Sequence, residues 1–101
     1  MSDTQGRRVV VITGAARGLG LGMARRFTEE SAVVVLTDLD VAAGKAAAAA
    51  LRDGGARASF VALDVRDPEQ AGAVVATIEA AHGPIDVWVH NAGVARRGPA
   101  G

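Results

Sequence analysis

The sequence has no cysteine and no tyrosine, and its only lysine is Lys45. Without cysteine there is no disulfide and no thiolate metal site. Aromatic residues are limited to Phe27, Phe60 and Trp88. Neither sign of charge is in excess, with 11 basic and 11 acidic residues, and no basic run is present. Nucleic acid and anionic membrane surfaces are therefore not expected partners. No apolar stretch reaches the roughly 20 residues that span a bilayer. The segment Met1 to Gly6 lacks the basic and apolar regions of a signal peptide, so a cytoplasmic location is the expectation. At 101 residues the chain is one domain at most. A core can form, but it would cover only about two-thirds of the unfolded surface. Residues 1–7 and 95–101 are polar or rich in glycine and proline, and read as mobile ends.

What is present is organised around Thr13-Gly14-Ala15-Ala16-Arg17-Gly18-Leu19-Gly20. The run Val9 to Ile12 before it has no polar alternation, which predicts a strand buried on both faces. After it, Gly20, Met23, Ala24 and Phe27 share one helix face, with Arg25, Arg26, Glu29 and Glu30 on the other. A strand, a glycine-rich turn and a helix can cradle a phosphate. The glycines permit a tight turn and close approach, and the helix N-terminus offers unpaired N–H groups.

The pattern then alternates. Ala32 to Thr37 is a second β-branched run ending at Asp38. Asp40 can cap a helix over Val41 to Arg52, which Asp53-Gly54-Gly55 stops. Arg57 to Leu63 reads as the third strand. Asp67-Pro68-Glu69 starts a helix with Ala71, Val74, Val75 and Ile78 on its apolar face, and His82-Gly83-Pro84 ends it. Ile85 to His90 reads as the fourth strand, closed by Asn91-Ala92-Gly93. This order predicts an α/β fold: a Rossmann-like parallel sheet, strand order 3-2-1-4, with helices on both faces. The glycine turn, Asp38, Asp64 and Asn91 then share the rim at the C-terminal strand ends, where such sheets bind ligands.

Asp38 either opens a turn or accepts two hydrogen bonds from an adenosine ribose. In the second role it would repel a 2′-phosphate, favouring NAD over NADP. Arg17 pulls the other way, because a basic residue in the turn could meet that phosphate. Leu39, next to Asp38, supplies no second cation. Asp64-Val65 either ends the strand or contacts adenine, the carboxylate on the exocyclic amine and the valine on the ring. His90 has no carboxylate or serine partner nearby in sequence, which favours a structural role over acid–base catalysis. His82 fits a helix C-terminal cation.

Together, Thr13 to Gly20, Asp38, Asp64-Val65 and His90-Asn91-Ala92-Gly93 resemble the N-terminal half of the short-chain dehydrogenase/reductase family, over residues 7–95. The resemblance implies that Gly14, Arg17, Gly18, Leu19 and Gly20 hold the pyrophosphate, and that Asp38 and Leu39 flank the ribose. It implies that Asp64 and Val65 hold the adenine, and that Asn91, Ala92 and Gly93 support sheet and cofactor. His90 stands where the family more often has asparagine, and Ser31 where a glycine usually precedes the second strand. The family's proton donor is a tyrosine four residues before a lysine, with an upstream serine and a further asparagine. No tyrosine is present, and Lys45 falls in the second helix, so no catalytic residue is assigned.

The expectation is therefore the NAD-binding half of an enzyme that passes hydride between NAD(H) and an alcohol or carbonyl. A non-catalytic dinucleotide-binding module and one piece of a split enzyme are the alternatives. The glycine spacing speaks against a methyltransferase. Val87, Trp88 and Val89 would form an open edge, so a marginal chain that self-associates through its fourth strand is expected.

Overall fold

A computed structural model of the chain describes residues 7–91. The elements run β1 (Val9–Thr13), α1 (Gly18–Glu29), β2 (Val33–Asp38), α2 (Val41–Asp53), β3 (Arg57–Ala62), α3 (Pro68–His82) and β4 (Val87–Val89). The four strands form one sheet in the order β3-β2-β1-β4, and every pairing is parallel. This is the order expected from the alternation of strand and helix. The readings made for Ala92, Gly93 and the mobile ends 1–6 and 95–101 lie outside the described residues; Arg7, the last residue of the first end, donates to the Ser31 carbonyl at 3.1 Å.

Alternate residues of each strand face opposite sides of the sheet, and each side has its own core. Val10, Ile12, Val34, Leu36 and Ala58 pack beneath Ala24 of α1 and Ala48 and Leu51 of α2. Val9, Val11 and Val35 pack with Leu63 beneath Val74 and Ile78 of α3. Two helices thus cover one face and one helix the other, as the sequence implies. β1 is fully buried because it lies inside the sheet with helices on both sides.

Helix starts follow their caps. The Asp40 carboxylate accepts from the Ala43 N–H at 3.1 Å. Asp67 accepts from the Glu69 and Gln70 N–H groups, with Pro68 in the first turn of α3. α1 is different: Arg17 occupies the cap position without a capping side-chain bond, and the first turn has no acid.

The fourth strand is shorter than the expected 85–90. Asp86 does the work of a ladder residue with its side chain: its carboxylate accepts from the Val9 N–H at 2.7 Å, while its own N–H donates to the Val9 carbonyl. Ile85 N–H is taken by the Glu79 carboxylate. Only Val87, Trp88 and Val89 remain to pair, opposite Val10, Val11 and Ile12. Among the described residues nothing pairs with the outer edge of β4.

Candidate functional site

The loops after β1, β2 and β3 and the residues after β4 meet at one rim. Its centre is the turn from Gly14 to Arg17. Gly14 and Gly18 have φ of 62° and 61°, a region that side-chain-bearing residues avoid. Between them the backbone is tied to β2. Ala15 N–H donates to the Thr37 carbonyl at 3.1 Å, and Ala16 N–H donates to the Asp38 carboxylate at 3.0 Å. The turn is therefore fixed by the neighbouring strand and leads into a helix end without a capping side chain, which leaves donors for an anion.

Gly20 lies on the inner side of α1, where a Cβ would collide with the Gly14 carbonyl and come within 2.7 Å of Asn91 Nδ2. Asn91 is buried, and its Nδ2 donates to that same carbonyl at 3.1 Å. Its Oδ1 is buried without a hydrogen-bond partner among the described residues. Thr13 Oγ1 donates to the Val89 carbonyl, a second tie between the turn and β4. Gly14, Gly20 and Asn91, distant in sequence, thus form one packed unit.

Asp38 closes β2 half-buried. One carboxylate oxygen accepts from Ala16 N–H and the other from Asp40 N–H at 3.0 Å. Arg17 is exposed, and its guanidinium meets the Asp40 carboxylate at 2.7 Å. That bond, followed by the one from Ala43 N–H, holds the Asp40 carboxyl below the usual carboxylate range. Asp64 follows β3 beside Asp38, because Leu63 N–H donates to the Asp38 carbonyl. Both of its oxygens are held by the Arg66 guanidinium at 3.0 Å, which lowers its pKa.

Among the described residues the large apolar side chains that stand exposed are Leu19 (65%), Leu39 (61%), Val41 (41%) and Val65 (44%), each on or next to a loop of this rim. Leu19, Leu39 and Val65 are residues the sequence reading placed in the site. A helix start without a capping side chain, a carboxylate on the next loop and exposed apolar side chains suit a ligand with an anionic part and an apolar part. His90 does not join the rim network; its Nδ1 accepts from Trp88 Nε1 at 2.9 Å.

Sequence reasoning missed two partners. The sequence marks Asp40 as a helix cap alone, yet it also takes Arg17. Arg66 was assigned no role, yet it occupies Asp64. The signal for Arg66 was available, since an aspartate two residues before an arginine can fold back on it in an Asx turn. The Arg17–Asp40 pair left no local signal, because it joins two different loops.

The family model described as short chain dehydrogenase matches residues 8–101. Galactitol 2-dehydrogenase of Agrobacterium fabrum is 45% identical over 86% of this chain and 33% of its own length. Cis-4-hydroxycyclohexanecarboxylate dehydrogenase of Sinomonas cyclohexanicum is 42% identical over 94% of this chain and 38% of its own length. Among solved structures, a variant of actinorhodin polyketide ketoreductase with NADPH superposes with a TM-score of 0.82 at 33% identity. That match covers 89% of this chain and 34% of the other. The chain spans about a third of the length of the curated relatives it matches.

Proposed function

The chain belongs to the short chain dehydrogenase family, and from that premise we propose that it is the cofactor-binding part of an oxidoreductase that moves hydride between NAD(H) and an alcohol or carbonyl. The relatives are named as dehydrogenases, which supports the reaction class. The observation that carries the cofactor reading is the turn itself: Gly14 and Gly18 at positive φ, leading into the uncapped start of α1, with the Asp38 carboxylate on the next loop.

In this reading Gly14, Gly18, Leu19 and Gly20 bring backbone donors to the pyrophosphate, and Asn91 fixes the turn that presents them. Asp38 accepts from the adenosine ribose, and Leu39 flanks it. Asp64 and Val65 border the adenine, the valine on the ring. Asn91 supports the inner wall, while Ala92 and Gly93 lie outside the described residues. When bound, the nicotinamide dinucleotide supplies the hydride acceptor or donor. Asp38 favours NAD over NADP, because a carboxylate on the ribose repels a 2′-phosphate. The chain contains no tyrosine to donate a proton, so no proton-transfer step is assigned to its residues. The open edge of β4 suits pairing with another strand, and self-association through it is part of the proposal.

The test is an NMR titration of the chain with NAD. Shifts are expected at the amides of Gly14, Gly18, Leu39 and Val65, with a dissociation constant well above about 1 µM. Shifts spread elsewhere, or none at saturation, would sink the cofactor reading.

A further inference from the structure

The rim holds a closed circuit of charge whose Arg17–Asp40 link is not needed to cap α2. Arg17 Nη2 lies 2.7 Å from Asp40 Oδ2. Asp40 Oδ1 is pinned by the Ala43 N–H at 3.1 Å. The Asp40 N–H donates to Asp38 Oδ1 at 3.0 Å, and Asp38 Oδ2 accepts from the Ala16 N–H at 3.0 Å. Ala16 is bonded to Arg17, so the circuit ends where it began. It contains one cation and two carboxylates, which leaves it net negative.

Arg17 is the cation of the glycine turn, and its side chain remains 68% exposed. Without a partner it would be the group able to meet a 2′-phosphate beside Asp38, since guanidinium suits phosphate geometry. An exposed ion pair is usually worth little, because two long side chains must be ordered to make it. Here one partner is short and already ordered by its bond to the start of α2, so only Arg17 has to be fixed.

Resting on the dinucleotide reading above, we infer that Asp40 is a specificity-determining residue: by holding Arg17 it withdraws the cation of the glycine turn from a 2′-phosphate, and so makes the rim select NAD over NADP together with Asp38. Asp38 refuses the phosphate at the ribose, and Asp40 removes the counter-charge that would offset this refusal.

The probes are ADP-ribose and its 2′-phosphate derivative, which differ by that phosphate alone and need no nicotinamide contacts. Binding to the chain is followed by NMR titration. Asp40→Asn keeps the cap, because an amide oxygen can still accept from Ala43 N–H, and it removes the charge. Asp40→Asn is expected to tighten binding of the 2′-phosphate derivative about ten-fold, and to leave ADP-ribose within about two-fold, the size of one charge-assisted contact. Adding Arg17→Gln to Asp40→Asn should abolish that gain. If ADP-ribose binds but the preference is unchanged in Asp40→Asn, the role of Asp40 is overturned while the cofactor reading stands. A gain that survives Arg17→Gln overturns it too, since the effect would then be general repulsion. If neither compound binds wild type or variant, the cofactor reading itself fails and this inference goes with it.

Discussion

Asn91 Nδ2 and the Gly14 carbonyl, 77 positions apart, meet at 3.1 Å, and the helix residue Gly20 is packed against both. The contact leaves no room for a methyl group. Gly20→Ala is expected to destabilise the chain by about 1–3 kcal/mol through overpacking against backbone. Gly22, two residues further along α1 and on its other side, has nothing within 4 Å of an added Cβ. Gly22→Ala should therefore stabilise by about 1 kcal/mol through helix propensity. Thermal denaturation of the two variants checks the opposite signs. Equal effects would show that the contact at Gly20 does not constrain the fold.

Ser31 has φ of 68° in the tight turn between α1 and β2. Side chains resist that conformation, and the bonds of this turn come from its backbone: Ser31 N–H to the Thr28 carbonyl and Ala32 N–H to Phe27. Ser31→Gly should raise stability by about 0.5–1 kcal/mol, the relief of left-handed strain less the extra entropy of glycine. Ser31→Val should lower it. A melting temperature unchanged by either substitution would count against strain at this residue.

Asp40 and Asp64 both have carboxyls held below the usual range, by Arg17 and Arg66 respectively. A carboxylate depressed in the folded state contributes stability above its unfolded pKa, near about 4, and loses it as pH falls through the lower folded value. The melting temperature is thus expected to decline below about pH 4, and less steeply in Asp40→Asn with Asp64→Asn. Both carboxylates are only partly buried and their arginine partners are exposed, so the difference will be small. Parallel curves for wild type and the double variant would contradict the assignment.

Among the described residues nothing pairs with the outer edge of β4, which carries the half-buried Val87, Trp88 and Val89. Light scattering after size exclusion should find the chain self-associated, with a concentration-dependent melting temperature. A monomer that unfolds in one cooperative step would disprove this.

The sheet order and the helix starts were legible in the sequence because their causes are local. Valine runs without alternation mark buried strands, and Asp40 and Asp67-Pro68 mark helix starts. The rim was legible because parallel strands bring every C-terminal loop to one side. The length of β4 was not, because the side chain of Asp86 replaces a rung of the ladder, a substitution visible only once β1 lies beside it. Nor was the commitment of Arg17 legible, since its partner comes from the following loop. The strain at Ser31 was half-visible: an unusual residue at a turn, without the dihedral that gives it a cost.

Order in the sheet and order along the chain disagree at one place. β1 is made first but sits between β2 and β4, and β4 is the last of the described strands to be made. When β3 has left the ribosome, β1 to β3 and the two helices on their shared face can already assemble. β1 then waits with one side bare until Val87 to Val89 emerge, and three residues in register must close a loop through all the intervening structure. The glycine turn gains the Asn91 tie only at that closure. A nucleotide that favours the finished turn would therefore act late in folding, as a latch on a sheet whose other half is already built.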